Sequence, residues 1–306
     1  MPKVVIAIPT FRRPQSLTRL LAALERLDTR ADVTVIVADN DAAKTEGLNV
    51  CARLNTYRWP LDAFIAPERG IAAVRNALVA RALAHDCELI AMLDDDEWPD
   101  AGWLDAFLRT QTETGADALH GCILREFETA PGRLAALCDG LAPMHGTTGL
   151  VDMIPGTGNA IFTRACFEDT PKPCFDPAFA LSGGEDSDFF ERLRQQGKRF
   201  AWCEAAVVHA FVPASRANLK WALSRAYSVG NSDMRVFLKY SHTRGAHFAE
   251  IAKIAGVLLL SPVLFVMLGI ATNRAVGALR KLFRAAGKIA AFRGRYYDEY
   301  SVTHGA

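Results

Sequence analysis

The segment Leu89-Ile-Ala-Met-Leu-Asp-Asp-Asp-Glu-Trp-Pro99 joins five apolar residues directly to three aspartates. A short apolar run bounded by charge indicates a buried, parallel strand, which we expect to end at Leu93. Open α/β sheets bind their ligands at the carboxyl ends of such strands. Alternate side chains of an extended backbone share a face. The spacing therefore predicts that Asp94 and Asp96 converge while Asp95 points away.

Two carboxylates on one side of a strand, with no cation beside them, repel each other. A divalent cation that takes oxygen ligands, Mg²⁺ or Mn²⁺, would relieve this repulsion. The spacing therefore predicts a metal site at Asp94 and Asp96. The alternative is a solvated acidic turn, because buried apolar strands often end in polar turns.

The composition sets the class of protein. The chain has 306 residues, 50% hydrophobic and 23% charged, enough for a large core and one or two domains. Its seven cysteines form no CxxC pair, which indicates reduced thiols in a cytosolic setting and no zinc site. Met1-Pro2-Lys3 runs straight into a strand, so we expect no secretory signal.

The remaining sequence before residue 100 predicts an α/β sheet. Apolar strands at 4–8, 33–38 and 62–66 alternate with helical patterns, which is typical of a parallel sheet covered on both faces. No strand is followed by GxGxxG or GxxxxGK[ST], which removes the main support for a dinucleotide or P-loop site. Polar side chains follow the strands and predict a ligand-binding edge; they are Thr10, Asp39, Asp41, Arg69 and Arg75.

Four motifs in this order resemble the family 2 glycosyltransferases of the GT-A fold, and most closely the bacterial exopolysaccharide and lipopolysaccharide enzymes. They are IPTFRRP (8–14), ADND (38–41), ERGIAAVRN (68–76) and LDDDEWP (93–99). The resemblance covers roughly residues 3–231. It implies a mixed, mainly parallel sheet flanked by helices. The second motif departs from the commoner DDGS of the family.

The resemblance also implies a donor site. The Pro9-Thr10 loop and Asp39 would hold the nucleotide base, usually uracil, and Arg75 would help to hold the nucleotide. Asp94 would face the ribose, and Asp96 would bind the metal beneath the diphosphate. We assign three further residues to the same donor site: Arg12, Asp41 and Asp95.

The turn Gly183-Gly184-Glu185-Asp186 precedes a predicted helix. It resembles the Glu-Asp motif of the family, in which the Asp is the catalytic base. Such a base takes the proton of the acceptor hydroxyl as it attacks the anomeric carbon. One base and in-line displacement imply inversion, with Asp186 as the base and Glu185 in a secondary role. The alternative is that both carboxylates only cap the helix, which its dipole favours.

Two further features refine this hypothesis. His209, which follows the predicted strand 205–208, is a candidate third metal ligand by resemblance, although a lone His after a strand is more often structural. Residues 218–221 only faintly resemble the QxxRW motif of processive synthases, because Ala217 and Lys220 stand in place of its Gln and Arg. We therefore expect single addition of a sugar.

The C-terminal part of the chain is basic. Residues 216–306 hold 14 Lys and Arg against 4 Asp and Glu, a net charge of +10, whereas residues 1–215 hold 21 against 30, a net charge of −9. This asymmetry predicts contact with an anionic surface. The tail also contains a long apolar run, which favours a membrane and argues against nucleic acid as the partner.

The apolar run extends from Ile254 to Asn273 and has no charge. Twenty residues can just span a bilayer, but we expect Pro262 to kink or break the helix. Basic residues flank both ends, so a re-entrant or in-plane segment fits the positive-inside rule better than a single span. Residues 279–293 have the pattern of a basic amphipathic helix of the membrane-surface kind. The alternative is a helix packed on the catalytic domain.

The sequence thus predicts an inverting, metal-dependent, non-processive hexosyltransferase with a nucleotide-sugar donor, UDP-linked, and a lipid-linked saccharide acceptor. We expect it at the cytoplasmic face of a bacterial inner membrane. Residues 1–100 would bind the donor, 101–215 would bind the acceptor and catalyse transfer, and 216–306 would form the membrane-associated tail. The alternatives are a sugar-nucleotide pyrophosphorylase, which would need a Gly-rich loop after the first strand, a phosphatase, whose Asp pair would follow the first strand, and a non-catalytic sugar-nucleotide-binding membrane module.

Overall fold

The computed structural model describes residues 1–138, 140–268 and 273–297, and a mixed sheet of nine strands lies at its centre. The strands are β1 (Lys3–Thr10), β2 (Asp32–Asp39), β3 (Leu61–Ile65), β4 (Leu89–Met92), β5 (Glu97–Pro99), β6 (Ala118–Phe127), β7 (Gly149–Val151), β8 (Ala160–Thr163) and β9 (Phe200–Val212). The helices are α1 (Pro14–Glu25), α2 (Glu46–Ala52), α3 (Ile71–Ala84), α4 (Trp103–Thr114), α5 (Arg133–Ala136), α6 (Arg164–Glu168), α7 (Glu185–Gln195), α8 (Leu219–Tyr240), α9 (Arg244–Leu268) and α10 (Asn273–Phe292).

The sheet order is β3-β2-β1-β4-β8-β6-β9-β5, and β7 also pairs with β9. The first four strands are parallel, as the alternation of strands and helices predicted. Strand β8 runs antiparallel to both β4 and β6, which makes the sheet mixed. The predicted fold class is therefore confirmed. Strands from 1–100 and from 101–215 belong to the same sheet, and the division into these two halves stays a proposal.

Strand β1 shows why the apolar runs form buried strands. Val4, Ile6 and Ile8 pack on the side of the sheet that α1 covers, whereas Val5 and Ala7 pack on the side that α3 covers. Because both faces are buried, the strand is apolar at every position rather than at alternate ones. The carboxyl ends of β1, β2 and β4 consequently meet at one edge, where the polar residues follow.

The three C-terminal helices pack side by side. Helices α8 and α10 approach closely through small residues, since a Cβ added to Gly287 would lie 2.0 Å from the Tyr227 carbonyl oxygen. The Lys288 side chain of α10 pairs with Glu250 near the start of α9, so α9 and α10 run antiparallel. The predicted tail is therefore helical, and Pro262 lies inside α9 without ending it.

Of the two expectations for residues 279–293, the structure bears on packing against the catalytic domain, and the membrane-surface role stays a prediction. This part of α10 packs on the rest of the protein through Ala285, Ala291 and the backbone at Gly287. Its large apolar residues Phe283 and Phe292 remain 38% and 52% exposed. Within the described residues, α9 is the helix that is long and apolar enough to cross a membrane. The apolar segment is Arg244–Leu264, which has a mean hydropathy of 1.5 and is only 11% buried.

Candidate active site

A cavity of about 360 Å³ opens at the carboxyl ends of β1 and β4. Six of the predicted site residues line it: Pro9, Thr10, Arg75, Asp94, Asp95 and Asp96. The other predicted residues are not part of the lining: Arg12, Asp39, Asp41, Glu185, Asp186 and His209. The polar edge expected from the sequence therefore forms a pocket, and only some of the predicted residues line it.

The three aspartates lie in a turn, not in an extended strand. Strand β4 ends at Met92, and the Glu97 amide donates to the Asp94 carbonyl oxygen at 3.1 Å, which reverses the chain before β5. Alternation along a strand therefore does not apply to these side chains. Asp95 is buried, and its Oδ2 accepts a hydrogen bond from Thr10 Oγ1 at 2.9 Å. The expectation that Asp95 points away is therefore wrong, because it is held by Thr10 and lines the same cavity as Asp94 and Asp96. The use of Asp94 and Asp96 as a metal-binding pair stays a prediction.

Arginines surround the aspartates. Arg13 Nη1 lies 2.9 Å from an oxygen of both Asp95 and Asp96, and Arg216 Nη1 lies 3.5 Å from Asp96. Arg75 Nη2 lies 3.5 Å from Asp94. The premise that no cation stands beside these carboxylates is therefore wrong, because residues distant in sequence supply the positive charge.

Glu97 is a buried carboxylate that the sequence analysis did not single out. Its Oε2 accepts a hydrogen bond from the Asp94 amide at 3.2 Å, and a Cβ added to Gly158 would lie 3.2 Å from the same carboxylate. Burial raises the pKa of Glu97 well above its usual value, and the charges of Asp94 and Asp96 act in the same direction. Its position three residues after Asp94 in an acidic run was the available signal.

The donor atoms at this turn suit a hard divalent cation, because Asp94, Asp96 and Glu97 all offer carboxylate oxygens. Across residues 1–138, 140–268 and 273–297, no group of three His, Cys, Asp or Glu side chains is arranged to hold a metal ion. Mg²⁺ is usually held by one or two carboxylates together with substrate phosphates and water. Asp94 and Asp96 are therefore the residues that would hold such an ion, and the metal remains a prediction.

The predicted third ligand, His209, does not lie with these aspartates. Strand β9 continues past it to Val212, so His209 lies within a strand rather than after one. Its ring stacks on Trp98, Nδ1 lies 2.9 Å from Glu126 Oε1, and Nε2 lies 3.2 Å from Asp100 Oδ1. Both ring nitrogens are thus engaged by other carboxylates. The arrangement favours the structural alternative.

The loop after β2 is held by its own side chains. Asp39 Oδ2 accepts hydrogen bonds from the Gly47 and Leu48 amides at 2.8 and 3.1 Å, so it caps α2, a helix that the sequence analysis missed. Asp41 pairs with Arg12 Nε at 2.5 Å, and this hydrogen bond lowers the pKa of Asp41. Asp39, Asp41 and Arg12 thus shape the loop, and their contact with a nucleotide stays a prediction.

Asn40, between these two aspartates, was not predicted as a site residue, yet it lines the cavity. Its Nδ2 donates to the carbonyl oxygens of Ala66 and Glu68, and its Oδ1 accepts a hydrogen bond from the Gly70 amide at 3.2 Å. Asn40 therefore fixes the loop that leads into α3 and Arg75.

Arg75 connects the two halves of the predicted site. Its guanidinium pairs with Glu185 through Nη1 and approaches Asp94 through Nη2. Glu185 is only 1% exposed, and within the described part of the chain its Oε2 has no hydrogen-bond partner. The contact places the start of α7 against the aspartate turn, which joins the predicted donor and catalytic motifs.

Burial raises the pKa of Glu185 from 4.5 to about 7, although Arg75 acts in the opposite direction. Between these pH values the folded protein holds the Glu185 proton and the unfolded chain does not, so stability falls as pH rises. We expect the free energy of unfolding of the wild type, relative to Glu185→Gln, to fall by up to about 3 kcal/mol from pH 4.5 to 7. Urea unfolding of both proteins across this range measures it, and a constant difference would contradict it.

Asp186 differs from its neighbour. Gly183 and Gly184 have φ angles of 71° and 92°, a left-handed turn that suits glycine and starts α7. Asp186 is half-buried; its Oδ1 accepts a hydrogen bond from the Ser187 amide, and its Oδ2 lies 3.6 Å from the position of a Cβ on Gly156. The capping alternative thus describes one oxygen of Asp186, and Glu185 points to Arg75 instead.

A buried carboxylate that the sequence analysis missed holds α7 in place. Asp188 Oδ1 accepts hydrogen bonds from Lys239 Nζ at 2.6 Å and from the Tyr240 hydroxyl at 3.0 Å. Both partners lie at the end of α8. The first turn of α7, which follows the predicted catalytic turn, is therefore bound to the end of α8. No local sequence signal indicates this contact.

Comparison with known proteins agrees with this geometry. The family model described as glycosyl transferase family 2 matches residues 5–144. The succinoglycan biosynthesis protein ExoM of Rhizobium meliloti (strain 1021) is 31% identical over an alignment of 251 residues that covers 78% of this chain and 76% of that protein. The crystal structure of S. aureus TarS 1–349 in complex with UDP-GlcNAc superposes with a TM-score of 0.53 at 16% identity, covering 97% of this chain and 93% of that one. A longer TarS structure gives a TM-score of 0.54 at 16% identity; the match covers 96% of this chain but only 54% of that protein.

Proposed function

The chain belongs to the family 2 glycosyltransferases and is a glycosyltransferase; from this premise we propose that it adds a single sugar, with inversion, to a hydroxyl of a lipid-linked saccharide. The donor is a nucleotide sugar, UDP-linked, and the reaction belongs to cell-surface polysaccharide synthesis. The observation that carries the proposal is the contact of Arg75 with both Glu185 and Asp94, which joins the Glu185-Asp186 turn to the aspartate turn that lines the cavity.

The lining of the cavity supports a nucleotide-diphosphate donor. Arginines line the cavity together with the carboxylates of the turn: Arg13, Arg69, Arg75, Arg125, Arg216 and Arg225. Such cations offset the charge of a diphosphate leaving group. The similarity to a structure solved with UDP-GlcNAc supports a uridine nucleotide, and the similarity to a succinoglycan biosynthesis protein supports a polysaccharide product.

Each carboxylate then has a distinct role. Asp186 takes the proton of the acceptor hydroxyl, because it is half-buried beside the cavity and keeps Oδ2 turned toward Gly156. Buried Glu185 orients Arg75 and is a positioning residue. Asp94 faces the ribose, and Asp96 is the principal metal ligand. A bound Mg²⁺ or Mn²⁺ would supply charge stabilisation of the leaving diphosphate.

Turnover of nucleotide sugars tests the proposal most directly. We expect the full-length protein to release UDP slowly from one UDP-sugar by hydrolysis when Mg²⁺ or Mn²⁺ is present, and faster when a saccharide acceptor is added. A coupled assay for released nucleoside diphosphate, over a panel of UDP-, GDP- and TDP-sugars, measures it. Turnover of only GDP- or TDP-sugars would overturn the uridine assignment, and turnover unchanged by EDTA would overturn the metal.

The exposed face of α9 supports attachment to the cytoplasmic face of a membrane. Leu259, Leu260 and Val263 are 73%, 63% and 53% exposed on a helix that lies beside basic α10. Because α10 returns antiparallel along α9, an in-plane or re-entrant position keeps the cations of both flanks at the lipid headgroups. We propose residues 216–306 as the membrane-associated unit. Its helix α8 also contacts the catalytic part of the protein, because Lys239 and Tyr240 bind Asp188 of α7.

Charged substitutions on this face should release the protein from membranes. Each buried Leu or Val contributes about 1.5–3 kcal/mol, so Leu259→Glu with Val263→Glu should lower partitioning into liposomes by at least about a hundredfold. Leu150→Glu is the control for one added charge and is compared with Leu259→Glu alone, because Leu150 is 59% exposed on β7, outside the tail. Flotation with phosphatidylglycerol-containing liposomes measures it. Equal flotation of the double variant and the control would argue against the membrane assignment.

A further inference from the structure

A second cavity, of about 650 Å³, lies between α8, α9 and α10. Basic side chains dominate its polar lining, and among the described residues that line it there is no carboxylate. The cations are Arg225, Arg274, Arg280, Lys281 and Arg284. Arg284 is engaged by Asp233 at 2.7 Å, whereas Arg274 and Lys281 are exposed. This concentration of positive charge points to an anionic ligand.

The cavity adjoins the active site on one side. Gly140, Trp221 and Arg225 line both this cavity and the donor cavity. Arg225 also acts electrostatically on Glu185, whose pKa it lowers against the larger effect of burial. An anion bound in this cavity would therefore lie near the Glu185-Asp186 turn, where the proposed base must meet the acceptor hydroxyl.

On its other side the cavity meets the apolar helix. Ser261 and Leu264 of α9 contribute to its wall, and the exposed face of α9 with Leu260 and Val263 continues outward from there. Three environments thus follow one another across the molecule: the catalytic carboxylates, a basic cavity and an apolar helix. A saccharide joined through a diphosphate to a prenyl chain has the same order of chemical groups.

We propose that this basic cavity binds the diphosphate of the acceptor lipid. The inference rests on the lipid-linked acceptor proposed above and assigns the part of the protein that recognises it. The cations hold the diphosphate, the saccharide extends past Trp221 and Arg225 toward Asp186, and the prenyl chain leaves along α9. Specificity for the acceptor is then set partly by the anion, at a distance from the reacting sugar.

Vesicle binding by the full-length protein tests this assignment without a donor. One set of phosphatidylcholine vesicles contains undecaprenyl pyrophosphate, and a second contains phosphatidylglycerol at matched charge. We expect tighter binding to the first set. The double substitution Arg274→Gln/Lys281→Gln should remove this preference, with a loss of roughly fivefold per charge and about 25-fold in all.

The matched control is Arg293→Gln/Arg295→Gln, which removes the same charge from exposed positions at the end of α10, outside the cavity. It should bind both vesicle types more weakly, by a similar factor, but keep the preference. A wild type without preference, or a preference that survives in Arg274→Gln/Lys281→Gln, would overturn the proposal. Complete displacement by an equal concentration of inorganic pyrophosphate would overturn the lipid assignment, since it would show a site for the free anion. Any of these results together with normal UDP-sugar turnover would leave the proposed function standing.

Discussion

Substitution of Asp186 by Asn is expected to slow sugar transfer by a factor on the order of 10²–10⁴, the usual contribution of a positioned general base. The substitution keeps the shape of the side chain and an oxygen that can accept the Ser187 hydrogen bond, so the start of α7 should be preserved. Affinity for the donor should remain close to wild type. A lost rate with retained binding marks an interaction that is made in the transition state.

Single-turnover transfer and donor binding, measured in parallel, separate this role from that of Glu185. Glu185→Gln keeps a hydrogen bond to Arg75 but cannot ionise, so above pH 7 we expect a change in donor affinity as well as in rate. If Asp186→Asn transfers sugar at nearly the wild-type rate while Glu185→Gln does not, Glu185 is the base. If neither substitution slows transfer, the turn acts only as the start of a helix.

The sheet was predictable because its strands are buried on both faces. Such strands are apolar at every position, as in β1 and β4, and the residues that end them are polar. Strand β2 follows the same rule, whereas β3 at the edge of the sheet is half-buried along its whole length. Short elements without a continuous apolar run, such as α2 and β5, were missed because tertiary contacts define them: Asp39 caps α2, and β5 pairs with residues 208–210 of β9.

The site was predictable where chemistry depends on residue type in a local motif, and not where it depends on distant partners. The aspartates of the turn and the Glu185-Asp186 turn were identified from their spacing and resemblance. The contacts Arg13–Asp96 and Arg75–Glu185 join residues 83 and 110 positions apart, and no local pattern reports them. The expectation that His209 binds a metal rested on its position after a predicted strand. That position gave no information about Trp98, Asp100 and Glu126, which contact its ring.

The neighbouring carboxylates Asp95 and Asp96 should separate stability from metal binding. Asp95 is buried and accepts hydrogen bonds from Thr10, the Phe11 amide and Arg13, so it anchors the loop after β1 to the turn. Hydrogen bonds to charged groups contribute roughly 1.5–3 kcal/mol, and Asp95→Asn should lower the free energy of unfolding by about that amount. UDP binding by Asp95→Asn should still depend on Mn²⁺.

Asp96→Asn should have the opposite pattern. Asp96 lines the cavity and is less buried than Asp95, with side-chain exposures of 18% and 6%. Arg13 keeps Asp95 as a partner in this variant, so the free energy of unfolding should change by less than about 1 kcal/mol. The gain in UDP affinity on adding Mn²⁺ should disappear, because a carboxylate oxygen that would hold the ion is lost. Calorimetry of UDP binding with and without Mn²⁺, together with urea unfolding, measures both quantities for both variants. Retention of the full Mn²⁺ effect in Asp96→Asn, or its loss only in Asp95→Asn, would show that Asp96 is not the principal metal ligand.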